Sequence, residues 1–263
     1  MNTNTTIVTA FFDINREEKG DGRKINEYLE WIKQTLQLNC NLYIVTEKKF
    51  VEFMEQHRPI GYNTFIKEDI FENASYYKYL PRIKEILESD YYKNKIAYPT
   101  RVECVLPEYN VIQYSKFGWL EEAIKANPFN SEYFFWMDAG ISRFFMDVDL
   151  RKQYPGQSIR DNIYSKKFII QSRNDLNIFN IDEQFIWKAD NLLKGGMFGG
   201  YKDTIQTIIH KIEYIFVNEM LNKNNVNNEQ LALALLYKNN KDLFYIYQDY
   251  SHNPLKLFKH LSF

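Results

Sequence analysis

Cysteine is nearly missing from this chain: Cys40 and Cys104 are the only two among 263 residues, and neither belongs to a C-x-x-C pattern. That excludes a disulfide framework and a cysteine-built zinc site, and it points to a reducing cytoplasm. Net charge is equally scarce. The 33 basic residues meet 34 acidic ones, a formal balance of -1, so no global positive field exists to hold a nucleic acid or an anionic membrane. No apolar run approaches the roughly 18 residues that a spanning helix needs, so no transmembrane segment is expected. The start, Met1 to Thr6, lacks the charged head and long apolar stretch of a secretion signal. Also absent are the G-x-x-x-x-G-K-[ST] phosphate loop, the dinucleotide fingerprint and the G-x-S-x-G elbow. Triphosphatase, dehydrogenase and serine-hydrolase readings therefore lack sequence support.

What the chain has in excess is aromatic surface: twenty Tyr and twenty Phe. Such rings wall sugar and nucleoside pockets. A Lys-, Asn-, Ile-, Phe- and Tyr-rich composition is also what an AT-rich genome writes, and most of the excess is assigned to that.

The apolar pattern reads as alternating strands and helices. Thr6 to Phe12 is a β-branched and aromatic run that ends at Asp13, a buried strand opening into a polar loop. Lys24 to Gln37 carries Ile25, Leu29, Ile32 and Leu36 at helical spacing, and Asn41 to Thr46 is a second strand. Strand, helix, strand at this pitch is a βαβ unit, whose ligands collect at the carboxyl ends of the strands. A helix over Glu47 to Gln56, a short strand at Phe65 to Lys67 and a helix from Tyr76 to Leu87 follow, with Pro81 marking a kink or a first turn. Tyr91 to Tyr109 is loop-like, and Tyr114 to Ala126 returns to helical periodicity. Glu132 to Met137 is a dense aromatic strand running into Asp138-Ala139-Gly140. Downstream come a strand (Lys167 to Ser172), a helix (Glu183 to Leu193), a glycine-rich turn (Lys194 to Tyr201), an amphipathic helix (Thr204 to Leu221), a helix opening at Asn228-Glu229-Gln230 and a last strand (Phe244 to Tyr247). With no linker or repeat to divide it, residues 1–263 read as one α/β domain.

Six features are candidates to carry chemistry. Asp138 stands where a buried strand meets the pocket; a carboxylate there holds a divalent cation against a leaving diphosphate, or else caps a turn and pairs with Arg143. His252, on the loop after the last strand, either completes that coordination sphere or is a surface residue. Glu229 opens a helix, where a carboxylate serves equally as an N-terminal cap or as a rigidly mounted base for an acceptor hydroxyl. Gly195, Gly196, Gly199 and Gly200 bracket Met197-Phe198 and let backbone approach a ligand. Arg16, beside Asp13 on the first loop, and Lys116, on a helix, are the candidates for neutralising phosphates; in most proteins such residues are solvated. The tail Leu255 to Phe263 suits either a peripheral membrane contact or a last core helix.

Together, T-A-F-F-D-I-N-R at Thr9 to Arg16, S-K-F-G-W-L-E-E-A-I at Ser115 to Ile124, F-F-W-M-D-A-G-I at Phe134 to Ile141, G-G-M-F-G-G at Gly195 to Gly200 and N-E-Q at Asn228 to Gln230 resemble the bacterial HtrL/YibB family, which is also met in surface-polysaccharide gene clusters. The resemblance runs from Thr6 to about Tyr237. It implies a GT-A-like, Rossmann-type fold with a mostly parallel central sheet flanked by helices, and a glycosyltransferase moving sugar from a nucleoside diphosphate sugar to a lipopolysaccharide, capsule or other glycan or glycolipid acceptor. By the same likeness Asp138 is the metal-binding acid for Mn or Mg, Gly195 to Gly200 lies where donor and acceptor sugars meet, Glu229 is the helix-start catalytic acid and His252 is the C-terminal metal histidine. One acid stands here in place of the Asp-x-Asp pair. The competing readings are a non-catalytic glycan-binding protein on the same fold and a nucleotidyltransferase, whose Gly-rich, Lys/Arg-bearing loop after the first strand is lacking.

Overall fold

Strands buried on both faces organise the chain. In the computed structural model, which describes residues 4–145, 148–152, 166–177, 180–182, 184–188, 192–250 and 255–262, seven strands form one sheet: β1 (Thr5–Phe11), β2 (Asn41–Thr46), β3 (Thr64–Glu68), β4 (Tyr133–Met137), β5 (Phe168–Ser172), β6 (Leu193–Tyr201) and β7 (Phe244–Gln248). Their order is β3-β2-β1-β4-β6-β5-β7, and every neighbouring pair is parallel except the two that β6 makes with β4 and β5. Because successive side chains point to opposite faces, Ile7, Leu42, Phe135 and Met137 enter one core while Val8, Tyr43, Phe134 and Trp136 enter the other. A sheet buried this way must be covered twice. Helices Ile25–Thr35 and Lys48–His57 cover the first face through Ile32, Phe50 and Met54; helices Pro107–Ala126 and Lys202–Ile215 cover the second through Val111, Phe117, Ile205 and Ile208. This is the helix-flanked, mostly parallel α/β sheet expected of the GT-A-like class.

Three local expectations are corrected. Lys194 to Tyr201 is not a turn but β6. Its period of two is visible only at Met197 and Phe198, which enter opposite cores, because the flanking glycines carry no side chain to show a face. Gly199 lies so close to β4 that a Cβ would sit 2.1 Å from the Phe134 carbonyl oxygen, and Gly200 adopts a φ of +145° against the Lys167 carbonyl. The Tyr91 to Tyr109 stretch is largely helical, with Asp90–Lys95, Val102–Val105 and the start of the long helix at Pro107. In place of a helix from Glu183 to Leu193, the described part holds a single 3-10 turn at Phe185–Trp187, and Leu193 already belongs to β6. Pro81 falls in the first turn of helix Leu80–Glu88, where its missing N–H has no partner to lose.

The tail takes the second of its two readings, a last core helix. Leu257, Phe258 and Leu261 of helix Leu255–Ser262 are buried, and Phe258 stacks on Phe145, so the apolar face that a membrane would need is spent on the core. Among the described residues no helix is long and apolar enough to cross a membrane.

The close approach of β6 to β4 gives a direct test. Gly199→Ala must push the strands apart or break the ladder, so it is expected to cost about 3 kcal/mol, read as a fall in the urea midpoint of unfolding.

Candidate active site

Parallel strands deliver their carboxyl ends to one edge of the sheet. There β1 ends into Phe12-Asp13, β4 into Asp138 and β5 into Arg173, and antiparallel β6, which starts at Leu193, brings Lys194, Gly195 and Gly196 to the same edge. These residues line a cavity of about 580 Å³. That volume falls within the ordinary range for small-molecule sites, about 300–1,000 Å³.

Its floor is an ion network. Lys116 sits in the middle of helix Pro107–Ala126, which packs against β1 and β4, so the lysine is buried rather than solvated, with a side chain only 5% exposed. Its ammonium donates to Glu229 Oε1 at 2.8 Å and the Gly195 carbonyl at 3.1 Å, and pairs with Asp138 Oδ1 at 2.9 Å. Burial disfavours that charge, but Asp138 and Glu229 more than offset it, and the Lys116 pKa is raised. The Trp136 indole N–H donates to the same Asp138 Oδ1 at 2.6 Å. Asp138 is thus fixed through one oxygen, while its side chain remains 42% exposed toward the cavity.

Glu229 occupies the first turn of helix Glu229–Asn239, whose cap is the Asn228 side chain accepting from the Gln230 N–H. The carboxyl is fully buried behind Lys116 and is no part of the cavity lining; Gln230 reaches the cavity instead. Burial pushes the Glu229 pKa up, opposed by Lys116. Gly195 is what allows this packing, since a Cβ there would lie 2.0 Å from Glu229 Oε1. Glu229, expected to meet the acceptor, here faces Lys116 and not the cavity.

The sequence candidates therefore divide. Asp13, Arg16, Lys116, Asp138, Gly195 and Gly196 share one cavity. Gly199 and Gly200 do not line it and serve strand packing. Asp13 binds Lys49 at 3.2 Å and accepts from the Asn15 N–H, which shapes the β1 loop. Arg16 is largely committed: it forms a two-pronged pair with Asp21 at 2.7 and 2.8 Å, donates to the Tyr28 hydroxyl at 2.6 Å and stacks over the Tyr109 ring at 4.5 Å. His252 lies outside the described residues.

Sequence reasoning missed Tyr109, Gln113, Arg23, Arg173 and Lys194, all in the lining, and took Arg143 only as an alternative partner for Asp138. Tyr109, Gln113 and Lys116 fall on one helix face at spacings of four and three, a signal hidden while the helix was begun at Tyr114. Arg173 directly follows a strand, so the strand-end rule that found Asp138 also points to it.

Of the two metal ligands expected, the described residues hold only Asp138. Mg wants near-octahedral oxygen coordination and Mn similar hard donors. Asp138 keeps one oxygen unengaged, beside a lysine ammonium that repels a dication, and among the described residues no three His, Cys, Asp or Glu converge on a point.

Compared with known families, residues 3–260 match the model of the family described as "Bacterial protein of unknown function (HtrL_YibB)". No curated protein matches the chain. Among solved structures, the chain is similar to apo mouse xyloside xylosyltransferase 1 at 9% identity and a TM-score of 0.45, covering 94% of this chain and 85% of that one. It is similar to the glycosyltransferase GlyE of Streptococcus pneumoniae TIGR4 at 11% identity and 0.43, covering 94% of this chain and 45% of that one, so it spans less than half of GlyE. It is also similar to the inositol-1-phosphate CTP transferase of T. maritima, at 11% identity and 0.37, covering 94% and 86%.

Proposed function

The chain belongs to the HtrL_YibB family, and from the site it builds we propose that it is a glycosyltransferase using a nucleoside diphosphate sugar, with a surface polysaccharide, lipopolysaccharide or other glycan as acceptor. The observation that carries this reading is the pairing, in one strand-end cavity, of a fixed and accessible carboxylate, Asp138, with cations around the rim. A glycosyl transfer asks for both: a carboxylate at the sugar and positive charge at the departing diphosphate.

In this reading the acceptor hydroxyl oxygen bonds to the anomeric carbon and gives its proton to Asp138. The bond from that carbon to the diphosphate breaks, and its electron pair stays on the diphosphate oxygen. Asp138 takes the acceptor role that the resemblance gave to Glu229, because it is the carboxylate the cavity exposes at its floor. Lys116 and Trp136 fix its orientation through one oxygen and leave the other to the substrate. Tyr109 and Tyr28 supply apolar walls with hydroxyl tips for sugar or base.

The donor half is tested by thermal shift against UDP, GDP, CDP, ADP and dTDP. One of the five is expected to stabilise the protein by about 2.7 kcal/mol at a hundredfold excess over its dissociation constant. A protein indifferent to all five is no nucleotide-sugar enzyme.

A further inference from the structure

A diphosphate leaving group needs positive charge, and the described residues offer no cage for a divalent cation. What they offer is guanidinium. Arg143 follows Asp138 by five residues in the 3-10 turn Ile141–Phe144, half-buried at the cavity edge. It lies over Trp31 and Phe144, each ring centroid 4.7 Å away, and among the described residues it has no carboxylate partner. Two aromatic planes fix such a fork without consuming its in-plane donors, which is how an arginine is held ready for phosphate. Two more guanidiniums stand on the same rim. Arg16 and Arg23 share the single carboxylate of Asp21, at 2.7 and 3.3 Å. Of these three guanidiniums only Arg16 and Arg23 have a carboxylate partner among the described residues, Asp21, while Asp13 is paired with Lys49 and Asp138 with Lys116. Burial above all, with Arg23 and Arg16, lowers the Arg143 pKa against the opposing effect of Tyr28 and Asp138.

Taking the transferase reading as given, we infer that the donor's diphosphate is held and neutralised by Arg143, with Arg23 and Arg16 beside it, and that this enzyme binds its donor without a divalent metal. Arg143 and Asp138 line the same cavity, so a diphosphate on the guanidinium keeps the attached sugar in the space that the Asp138 carboxylate faces. As the bond to the anomeric carbon breaks, the electron pair passes to the diphosphate oxygen, and the new charge is met by the in-plane N–H donors of the guanidinium.

The test is isothermal titration of the full chain with the same five nucleoside diphosphates, once with EDTA and once with Mn, on wild type, Arg143→Ala and Arg143→Lys. The inference expects one nucleotide to bind in EDTA with an affinity within about twofold of that in Mn, and Arg143→Ala to weaken it by about tenfold or more. Arg143→Lys should recover only part of the loss, since an ammonium lacks the planar fork. Melting temperatures of the variants establish that they are folded. Binding that requires Mn overturns the inference and leaves the transferase reading standing. Arg143→Ala binding like wild type in EDTA also overturns it. No binding in either condition overturns both.

Discussion

Asp138→Ala is expected to lower sugar transfer by at least about a hundredfold, the scale set by removing one group that acts on the reacting centre, while the melting temperature stays within a few degrees of wild type. The two halves of this result have separate causes. Activity falls because Asp138 is the carboxylate that the cavity presents at its floor, fixed by the Trp136 indole and the Lys116 ammonium. Stability holds because the Asp138 side chain is 42% exposed, so water replaces it at both donors, and Lys116 keeps Glu229 as a partner. Steady-state transfer or donor hydrolysis, with a melting curve on the same preparation, measures both. Normal activity in this variant removes Asp138 from the chemistry.

Lys116→Met is expected to do the reverse and act first on stability. Methionine fills much of the lysine's volume but leaves Glu229 with no cation in a fully buried position, where its Oε2 already lacks a hydrogen-bond partner and the Gly195 carbonyl loses a donor. Breaking one side of a buried pair costs about 3–5 kcal/mol, roughly 6–15 °C in melting temperature for a chain of this size. Burial already raises the Glu229 carboxyl in the folded protein, and without the ammonium it rises further. An acid whose folded pKa lies above its unfolded value carries no penalty below the unfolded value, near 4.3, and a growing one as pH climbs from there through the folded value. The deficit of Lys116→Met relative to wild type should therefore be smaller at pH 5 than at pH 8, and adding Glu229→Gln should restore part of the stability at pH 8. A deficit independent of pH places the cost in lost packing and not in the buried charge.

The central sheet was legible because its strands are buried on both faces: runs such as TIVTAFF and EYFFWM have one stable home, between two layers of helix. Asp138 was legible because a carboxylate directly after such a run must emerge at the strand-end edge. β6 was not, since four glycines in nine residues erase the alternation by which a strand declares itself, and its antiparallel direction depends on partners distant in sequence. Lys116 and Glu229 were both found as candidates but not as a pair, since 113 residues separate them. Only the packing of two helices against β6 turns a surface-type lysine and a cap-type glutamate into one buried unit. Arg143 was hidden for a simpler reason: its aromatic platform comes partly from Trp31, on a helix that precedes it by more than a hundred residues.

The most direct test of the account is to incubate the purified chain with nucleoside diphosphate sugars and follow the nucleotide products by chromatography, with Asp138→Ala and nucleoside triphosphates run alongside. The account predicts that wild type releases nucleoside diphosphate from one donor, to water or to a glycan acceptor, that Asp138→Ala does so at least about a hundredfold more slowly, and that triphosphates stay intact. Pyrophosphate released from a triphosphate, or donor sugars left whole by a protein that binds the nucleotide, would contradict it, pointing to a nucleotidyltransferase in the first case and to a binding protein in the second.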